Sequence, residues 1–430
     1  MAQTKVVVIG GGFGGLNVAK ALKSSDLEVL LIDKTNHHLF QPLLYQVATA
    51  ALSPGDIGIP IREIFRKYDN TTVFMGEVVE IDKKNKQIVM GNGDRYGYDY
   101  LVLAVGARHS YFGNDKWEPF APGLKTVSDA LKIREEILVS FEKAERLDDP
   151  KETEKYLNFV IIGGGPTGVE MAGAIAEIAY KTMFKNFRKI KPEKSQIFLI
   201  EATPYILPVY PQKLSLKAKS DLEQLGVHVL TGTKVTNITE DGVQVDGKFI
   251  ESKNVIWAAG NQAAPLLKTL GVPLDRQGRV QVEPDLSAPG NPEIFVIGDA
   301  ACAIGKDGKP LPGIAPTAIQ ESKYVARLIN KRIPKEKRKP FQYFDKGSMA
   351  TIGKFKAVAM VRKLTLTGLI AWLMWCFIHI VYLIGFRNRI TVMIEWFYHF
   401  ITGQRGVRLI YNPIEKYITR KKNDSKIIQG

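Results

Sequence analysis

The stretch from residue 5 to residue 33 constrains the fold of this chain more than any other. A run of apolar residues, Val6 to Ile9, leads into a glycine turn with the spacing G-x-G-x-x-G, formed by Gly10, Gly12 and Gly15. An apolar-periodic helix follows, and then a second buried strand that ends on Asp33. Glycines at this spacing permit a tight turn, close approach of backbone N–H groups to a pyrophosphate, and close packing of helix on strand. The pattern therefore predicts a dinucleotide site with Asp33 at the ribose, whereas an ordinary glycine-rich turn leaves Asp33 unexplained.

The same pattern returns 153 residues later, where Gly163, Gly165 and Gly168 follow a strand and precede a helix. The next buried strand ends on Glu201, and the basic segment 181–194 is interpreted as an insertion that lengthens the connection. Two dinucleotides are a more economical interpretation than a duplication with one inactive site. No arginine stands in the Ala-Thr-Pro-Tyr that follows Glu201, which favours NAD over NADP at the second site.

Later segments continue the α/β pattern. A charged helix-forming connector covers 128–155, and short alternating strands with Gly and Asn turns cover 72–99. One buried strand runs into Gly106 and another, NVIWAAG, ends at Gly260. A third ends in Gly298-Asp299, which suggests that the chain returns to the first domain and places Asp299 at a ribityl or phosphate group.

Length and cysteine content limit the function classes. A chain of 430 residues is expected to form two or three domains. Its two cysteines lie far apart with no C-x-x-C spacing, which fits a reducing compartment and argues against a dithiol active site. The N-terminus enters a strand at once, so we expect no secretory or transit peptide. His37 and His38 lack thiol or carboxylate partners at ligand spacing, so we predict no metal site and interpret them as turn or packing residues.

The positive charge is concentrated at the C-terminal end. Residues 331–430 hold 20 Lys and Arg against five Asp and Glu, which accounts for the whole formal charge of +15. Because this excess lies beside the most apolar part of the chain, it favours an anionic membrane surface over nucleic acid as the partner.

That apolar part runs from Leu364 to Phe386, 23 residues without a formal charge, and is long enough to cross a bilayer as one helix. Basic residues lie on both sides of it and continue into the tail: Arg362, Lys363, Arg387, Arg389, Arg405, Arg408, Lys416, Arg420, Lys421 and Lys422. A single span would translocate the basic tail, so in-plane, monotopic attachment is favoured. Three tryptophans, Trp372, Trp375 and Trp396, are interpreted as an interface belt, and His379 as a packing or interfacial residue.

In order along the chain, the motifs IGGGFGG, LLID, YLVLAVGA, IIGGGPTGVE, LIEA, VIWAAG and IFVIGDAA resemble the two-dinucleotide-binding flavoprotein disulfide reductase superfamily. Narrower similarity, in HHLFQPLLYQVATAALSP, YILPVYPQKLSLKAKSDLEQLGV, APTAIQES and KGSMATIGK, points to the type II NADH dehydrogenases, which are single-subunit NADH:quinone oxidoreductases. The resemblance implies an α/β fold of two Rossmann-like domains, one inserted in the other, with a C-terminal membrane-anchoring helical region. The implied domains are an FAD-binding domain in two parts, 1–120 and 263–343, an NADH-binding domain, 121–262, and a membrane-anchoring region, 344–430.

The resemblance also implies site residues. Those for non-covalent FAD are Gly10, Gly12, Gly14, Gly15, Asp33, Lys34, Ala104, Gly106, Asp299 and Ala318. Those for NADH are Gly163, Gly165, Thr167, Gly168, Glu201 and Gly260. Two residues are implied to be catalytic, Glu170 near the nicotinamide and flavin and Gln320 near the quinone head. The chain departs from the family pattern A-Q-x-A-x-Q by carrying Pro316 at the first glutamine position.

The implied activity is hydride transfer from NADH to FAD and transfer of two electrons to a lipid quinone, which is ubiquinone, menaquinone or plastoquinone. The absence of an array of intramembrane charges predicts no proton pumping. The expected location is the cytoplasmic face of a membrane, with contact through residues 354–430, and the family resemblance is compatible with a homodimer. A reductase of the ferredoxin or rubredoxin reductase kind, acting on a soluble acceptor, is the alternative, and a redox sensor that only binds the nucleotides also stays open.

Overall fold

The computed structural model describes residues 3–362 and 364–412. Lys363 and the predicted basic tail residues Lys416, Arg420, Lys421 and Lys422 therefore lie outside the described residues. The α-helices are α1 Phe13–Ala21, α2 Leu44–Ala48, α3 Pro54–Ile57, α4 Ile61–Ile64, α5 Val127–Arg146, α6 Pro150–Leu157, α7 Pro166–Glu177, α8 Gln212–Glu223, α9 Ala315–Asn330, α10 Gly368–Tyr382 and α11 Phe386–Thr402.

The strands up to the second fingerprint are β1 Thr4–Ile9, β2 Leu27–Asp33, β3 His37–Leu39, β4 Gly58–Pro60, β5 Thr71–Met75, β6 Val78–Asp82, β7 Gln87–Met90, β8 Arg95–Gly97, β9 Tyr100–Leu103, β10 Ala107–His109 and β11 Asn158–Ile162. The later strands are β12 Gln196–Glu201, β13 Val227–Thr231, β14 Val235–Thr239, β15 Gly242–Val245, β16 Lys248–Glu251, β17 Asn254–Trp257, β18 Asn261–Ala263, β19 Ser287–Ala288, β20 Asn291–Val296, β21 Ser348–Gly353, β22 Lys356–Val361 and β23 Leu364–Thr367.

The first compact unit comprises residues 3–39, 58–110 and 261–346. Its main sheet has the order β19-β20-β9-β1-β2-β5, in which β1 pairs in parallel with β2 on one side and β9 on the other. The inner strands are apolar on both faces because elements cover both sides of the sheet. On one side, Val7 and Leu101 pack with Ile81 and Ile88 of the antiparallel sheet β6-β7-β8. Helix α9 packs along α1, the helix that follows the first glycine turn.

The second compact unit comprises residues 40–57, 111–260, 347–362 and 364–412. Its parallel sheet has the order β13-β12-β11-β17, and an antiparallel sheet, β14-β15-β16, packs Val243 and Val245 into the same apolar cluster as Val160 and Trp257. β11 lies between β12 and β17 just as β1 lies between β2 and β9. The internal repeat predicted from the glycine spacing is therefore a repeat of structure, and the predicted α/β dinucleotide-binding fold is confirmed.

The C-terminal residues form a second layer within this second unit. β21, β22 and β23 make an antiparallel sheet, and α10 packs on it through Ala371 and Trp372. On α7, a Cβ added at Gly173 would lie 1.7 Å from the Ile352 carbonyl oxygen, so the helix and β21 meet backbone to backbone. The predicted domain boundaries at 121, 263 and 344 divide the chain by the cofactor that each part is expected to bind, whereas the two compact units divide it by internal packing. The predicted boundaries therefore stay a prediction.

The segment from Leu364 to Phe386, which is long enough to cross a bilayer as one helix, does not form one continuous helix. The first four residues form β23, α10 has 15 residues, and α11 starts at Phe386 after a break. Gly368 and Gly385 have φ values of +67° and +91°, and such left-handed backbone is where a glycine interrupts a helix. Among residues 3–362 and 364–412, no helix has both the length and the apolar character to cross a bilayer.

The three tryptophans expected to form an interface belt are buried instead, with exposed fractions of 6%, 2% and 6% for Trp372, Trp375 and Trp396. Trp375 lies 5.4 Å from Trp396 between ring centroids and stacks on His379 at 4.1 Å. The Trp396 indole donates to Gln46 Oε1 at 2.7 Å. A buried indole needs such a partner, and here residues 40–57 supply it. The interface-belt interpretation is therefore wrong for these side chains, whereas His379 packs as predicted.

Candidate functional site

The first glycine turn has the geometry that its spacing predicts. Gly10 has φ +102°, and a Cβ there would lie 2.2 Å from the Ala104 carbonyl oxygen on the neighbouring strand end. A Cβ at Gly15 would lie 1.8 Å from the Gly10 carbonyl oxygen. Gly12 is different, because no atom lies within 4 Å of the position of an added Cβ. Two of the three glycines are thus required by the fold, and the third leaves open space at the N-terminus of α1.

The second glycine turn repeats this arrangement closely. Gly163 has φ +111° and would place a Cβ 2.7 Å from the Ala258 carbonyl carbon, and a Cβ at Gly168 would lie 1.8 Å from the Gly163 carbonyl oxygen. At Gly165 no atom lies within 4 Å of an added Cβ. Each turn therefore presents a helix N-terminus to an open space, which is the arrangement that binds a pyrophosphate.

An acid from the next strand is fixed beside each turn. The Asp33 carboxylate accepts hydrogen bonds from the backbone N–H groups of Gly11 and Thr35, both at 2.6 Å. The Glu201 carboxylate accepts from Gly164 at 2.6 Å and from Thr203 at 2.7 Å. Both acids therefore hold the turn in shape. A carboxylate also has lone pairs left over for ribose hydroxyls.

His38 is the buried residue that most directly supports an organic cofactor at the first turn. Its Nδ1 lies 2.9 Å from the Gly11 carbonyl oxygen, and its ring meets Phe13 edge to face at 5.2 Å. Burial lowers the pKa of His38, so the neutral ring is favoured. Its Nε2 is buried and has no hydrogen-bond partner among the described residues. The open space at Gly12 and this orphaned nitrogen fit a bound dinucleotide such as FAD.

The Gly-Asp motif forms a short 3₁₀ turn, Gly298–Ala300, next to the start of α9. Gly298 has φ +67°, and an added Cβ there would lie 3.4 Å from the Ala318 Cβ. The Gly298 N–H donates to the buried Glu321 carboxyl at 2.6 Å. Burial raises the pKa of Glu321 to about 8, and the Asp299 charge adds to this increase, while the Gly298 N–H opposes it. The turn thus brings the predicted residues Asp299 and Ala318 together and adds Glu321.

Glu170 lies on α7 in the second unit, one turn after the glycine loop. Burial raises the pKa of its carboxyl to about 8, and the Thr351 backbone and the Trp375 indole partly offset this increase. Burial, followed by the charge of Glu170, also raises the pKa values of Tyr45 and Tyr210. The carboxyl is therefore surrounded by aromatic residues and by C-terminal elements, and it holds a proton at neutral pH.

Gln320, on α9, uses its whole carboxamide in backbone hydrogen bonds. Nε2 donates to the Phe344 and Pro316 carbonyl oxygens at 2.9 and 3.2 Å, and Oε1 accepts from the Phe344 N–H at 2.9 Å. Pro316, the departure from the family pattern, stands in the first turn of α9, where a missing N–H costs no helical hydrogen bond.

The remaining predicted positions lie at the edges of these loops. Gly106 and Gly260 have positive φ, +67° and +75°, where the strands β9 and β17 have ended. Lys34 and Thr167 are exposed, and Gly14 is buried against Ile297. Within residues 3–362 and 364–412, no three His, Cys, Asp or Glu side chains are grouped so as to hold a metal ion.

Sequence reasoning did not place four buried residues at these sites: His38 beside Gly11, Glu321 beside Gly298, and Tyr45 and Trp375 beside Glu170. For Glu321 the sequence did contain a signal, because the helical period of α9 places this charged residue on the buried face of the helix. His38 and Tyr45 gave none, because their partners come from other segments of the chain.

Two glycine loops of this geometry, each closed by an acid, and a Gly-Asp turn define an oxidoreductase that binds two dinucleotides. Family models agree with this class: the one described as Pyridine nucleotide-disulphide oxidoreductase matches residues 4–322, and the one described as NDH2 C-terminal domain matches residues 346–405.

The type II NADH:quinone oxidoreductase Ndh of Mycobacterium tuberculosis is 47% identical over 418 residues, covering 94% of this chain and 89% of that protein. NdhA of the same organism is 46% identical over 419 residues, covering 94% and 88%. The chain belongs to the type II NADH:quinone oxidoreductase family. Among solved structures, NDH2 from Plasmodium falciparum in complex with NADH has a similar fold, with a TM-score of 0.86 at 23% identity over 94% of this chain and 99% of that one.

Proposed function

We propose that this chain is an NADH:quinone oxidoreductase that takes a hydride from NADH onto a non-covalent FAD and passes two electrons to a lipid quinone without pumping protons. We base this above all on the two glycine turns with open positions at Gly12 and Gly165, in a chain of this family. Bound FAD supplies the redox chemistry, and the protein supplies binding, orientation and protons.

The two turns divide the binding between them. The first turn, with Asp33, His38 and the Gly298-Asp299 turn in the same unit, holds FAD. The second turn, with Glu201, holds NADH. A carboxylate with no neighbouring arginine favours the free 2′-hydroxyl of NAD over the 2′-phosphate of NADP.

Glu170 is proposed to hold a proton for the reaction. A pKa of about 8 keeps the carboxyl protonated at neutral pH. Reduction of a quinone to a quinol consumes two protons, and a protonated carboxyl can donate one while the solvent restores it. Gln320 stays proposed as the residue near the quinone head. To bind a quinone oxygen, its amide must give up a hydrogen bond to Phe344 or Pro316.

Membrane attachment is proposed to be in-plane, at the cytoplasmic face, through the outer faces of α10 and α11. These two helices leave large apolar side chains exposed: Ile370, Leu373, Phe377, Phe386, Ile394, Phe397 and Ile401. Their inner faces bury the three tryptophans, so each helix is amphipathic in the way that suits an interface. The lipid quinone is proposed to be ubiquinone, menaquinone or plastoquinone.

The decisive experiment is an anaerobic titration. NADH is mixed with the purified flavoprotein, the flavin absorbance is followed, and a short-chain quinone is then added. We expect bleaching by NADH and rapid recovery with quinone. Bleaching without recovery would overturn the quinone assignment in favour of a soluble protein acceptor. No bleaching would overturn the assignment of the second turn to NADH.

A further inference from the structure

The segment 181–194, between α7 and β12, has no part in the nucleotide sites. It carries six cations against one acid: Lys181, Lys185, Arg188, Lys189, Lys191 and Lys194, with Glu193. All six cationic residues are exposed. In the first unit the chain passes from α1 to β2 in five residues, so nothing in the fold of a glycine-turn unit requires this insertion.

The backbone of the insertion is fixed while its charges point outward. The Glu145 carboxylate on α5 accepts hydrogen bonds from the backbone N–H groups of Arg188, Lys189 and Ile190, at 2.8, 3.0 and 2.9 Å. Lys189 also pairs with Asp148 at 2.6 Å. Ordered backbone with exposed cations is a surface prepared for an anionic partner, since little conformational entropy remains to be lost on binding.

The insertion contacts the C-terminal residues of the same unit. Thr182 Oγ1 donates to the Gly403 carbonyl oxygen at 3.3 Å. A cleft of about 490 Å³ separates the two segments, lined by Met183 and Phe187 on one side and by Tyr398 and Leu409 on the other. The basic residues therefore adjoin the end of α11, one of the two helices proposed to contact the membrane.

Exposed apolar side chains accompany the cations. Phe184 is 49% exposed with the Lys185 ammonium 5.3 Å from its ring centroid, and Tyr398 and Leu409 are 49% and 62% exposed. Binding of an acidic protein requires only the cations. An exposed aromatic ring between lysines suits a membrane surface, where the ring lies at the boundary between headgroups and acyl chains.

We infer that the segment 181–194 is a second membrane-contacting element, which binds anionic phospholipid headgroups through its lysines and inserts Phe184 at the acyl boundary. This inference rests on the proposed membrane attachment. It adds that attachment depends on lipid charge. The apolar surface of α10 and α11 and the cations of the segment 181–194 both contribute to binding.

The test is co-sedimentation of the flavin-loaded protein with vesicles of phosphatidylcholine, with and without phosphatidylglycerol. The test variant carries Lys181→Gln, Lys185→Gln and Lys191→Gln. The control variant neutralises three exposed lysines elsewhere in the second unit, Lys116→Gln, Lys234→Gln and Lys248→Gln. We expect the test variant to partition roughly a hundredfold less onto the anionic vesicles and unchanged onto neutral ones, and added salt to abolish the difference.

A labelled variant gives a positive signal that does not depend on lost binding. An environment-sensitive fluorophore is attached at Phe184→Cys in a Cys376→Ser background, since Cys302 is buried. Its emission is expected to shift to shorter wavelength with anionic vesicles.

The outcomes separate the two proposals. If the unaltered protein binds no vesicle, membrane attachment itself fails and the inference fails with it. If the unaltered protein binds vesicles, but the test variant binds anionic ones equally well and the fluorophore stays in water, the inference alone is overturned. The segment then serves another partner, such as an acidic protein.

Discussion

In the second glycine turn, the surroundings of an added Cβ distinguish the glycine proposed to contact the NADH pyrophosphate from the two glycines that shape the turn. At Gly165 nothing lies within 4 Å of that position, and the backbone, with φ −70° and ψ −179°, is open to any residue. At Gly168, in contrast, a methyl group would strike the Gly163 carbonyl oxygen at 1.8 Å. The same substitution, glycine to alanine, is therefore expected to preserve the fold at Gly165 and to disturb it at Gly168.

Gly165→Ala is expected to fold with a stability within about 1 kcal/mol of the unaltered protein. Its methyl group would occupy the proposed pyrophosphate position, so the Kd for NADH should rise roughly tenfold or more. Stopped-flow titration of flavin bleaching measures this, and flavin content should be unchanged. Gly168→Ala is the matched control, expected to melt at lower temperature. Unaltered NADH binding in a folded Gly165→Ala protein would contradict the site.

Glu170→Gln removes the proton that Glu170 is proposed to hold for the reaction but preserves the size of the side chain. Because the pKa is raised to about 8, the carboxyl is protonated below pH 8 and loses its proton above it. Quinone reduction should therefore fall as the pH rises through about 8 in the unaltered protein. In the variant, quinone reduction should be slower by roughly 10²-fold, and its rate should not fall as the pH rises through about 8.

Bleaching by NADH in the Glu170→Gln variant should change much less than quinone reduction, as single-turnover kinetics can establish. Glu154→Gln, an exposed carboxyl on α6, is the control. An unchanged pH profile for Glu170→Gln would exclude the proton-holding role.

Helix α9 is the element that joins the Gly-Asp turn to the segment that ends the first unit. Its Glu321 carboxyl receives the Gly298 N–H, and its Gln320 carboxamide forms paired hydrogen bonds with Phe344. One helix thus supplies hydrogen-bond partners to the backbone of two irregular segments.

Gln320→Ala should remove the partner of the Phe344 N–H and so accelerate its amide hydrogen exchange about fivefold, since a hydrogen bond of this kind contributes about 1 kcal/mol. Exchange mass spectrometry over a peptide spanning 340–347 tests this, with the exposed Lys323→Ala on the same helix as control. The proposed quinone role adds an increase in the quinone KM with unchanged bleaching. A Phe344 amide that stays protected from exchange in the variant would show that the Gln320 hydrogen bonds do not hold this segment.

The elements that sequence predicted well are those set by local constraints. Gly15 and Gly168 are each excluded from carrying a side chain by the carbonyl oxygen of the glycine five residues earlier, and those two glycines, Gly10 and Gly163, have positive φ. The spacing alone therefore identified both turns. The segment 364–386 was different. Its apolar composition suits a helix of any length, and the break depends on β23 pairing with β22. The burial of Trp396 depends on Gln46, 350 residues away, which no local pattern can indicate.

At the scale of the whole molecule, the second unit combines a nucleotide turn with an exposed apolar surface. Its C-terminal layer is tied in by a buried ion pair, Arg405 with Glu177 at 3.2 Å. Burial alone would raise the pKa of Glu177, but hydrogen bonding to His399, the Arg405 charge and the Lys354 N–H together lower it to about 2. The carboxylate therefore stabilises the fold above its ordinary pKa, and this contribution is lost as the pH falls toward 2.

The variant with Phe377→Ser, Phe386→Ser and Phe397→Ser tests the apolar surface without touching the packed faces. These side chains are 67%, 80% and 68% exposed, so the fold should be retained. Binding to neutral vesicles should fall at least about a hundredfold, because each phenylalanine contributes about 1.5–3 kcal/mol when buried in lipid. Phe249→Ser, on β16, is the control. Equal vesicle binding by the triple variant would exclude α10 and α11 as the attachment surface.

The backbone contact between Gly173 of α7 and Ile352 of β21 has a practical consequence for anyone who wants this enzyme free of detergent. Cutting the chain before α10 uncovers Ala357 and Ala359 of β22, which pack on Ala371 and Trp372 of that helix, so the sheet that contacts α7 loses its own apolar cover. A shortened gene is therefore expected to yield aggregated protein, not a soluble catalytic fragment. Resurfacing α10 and α11 with polar residues is the preparative route that leaves this contact intact.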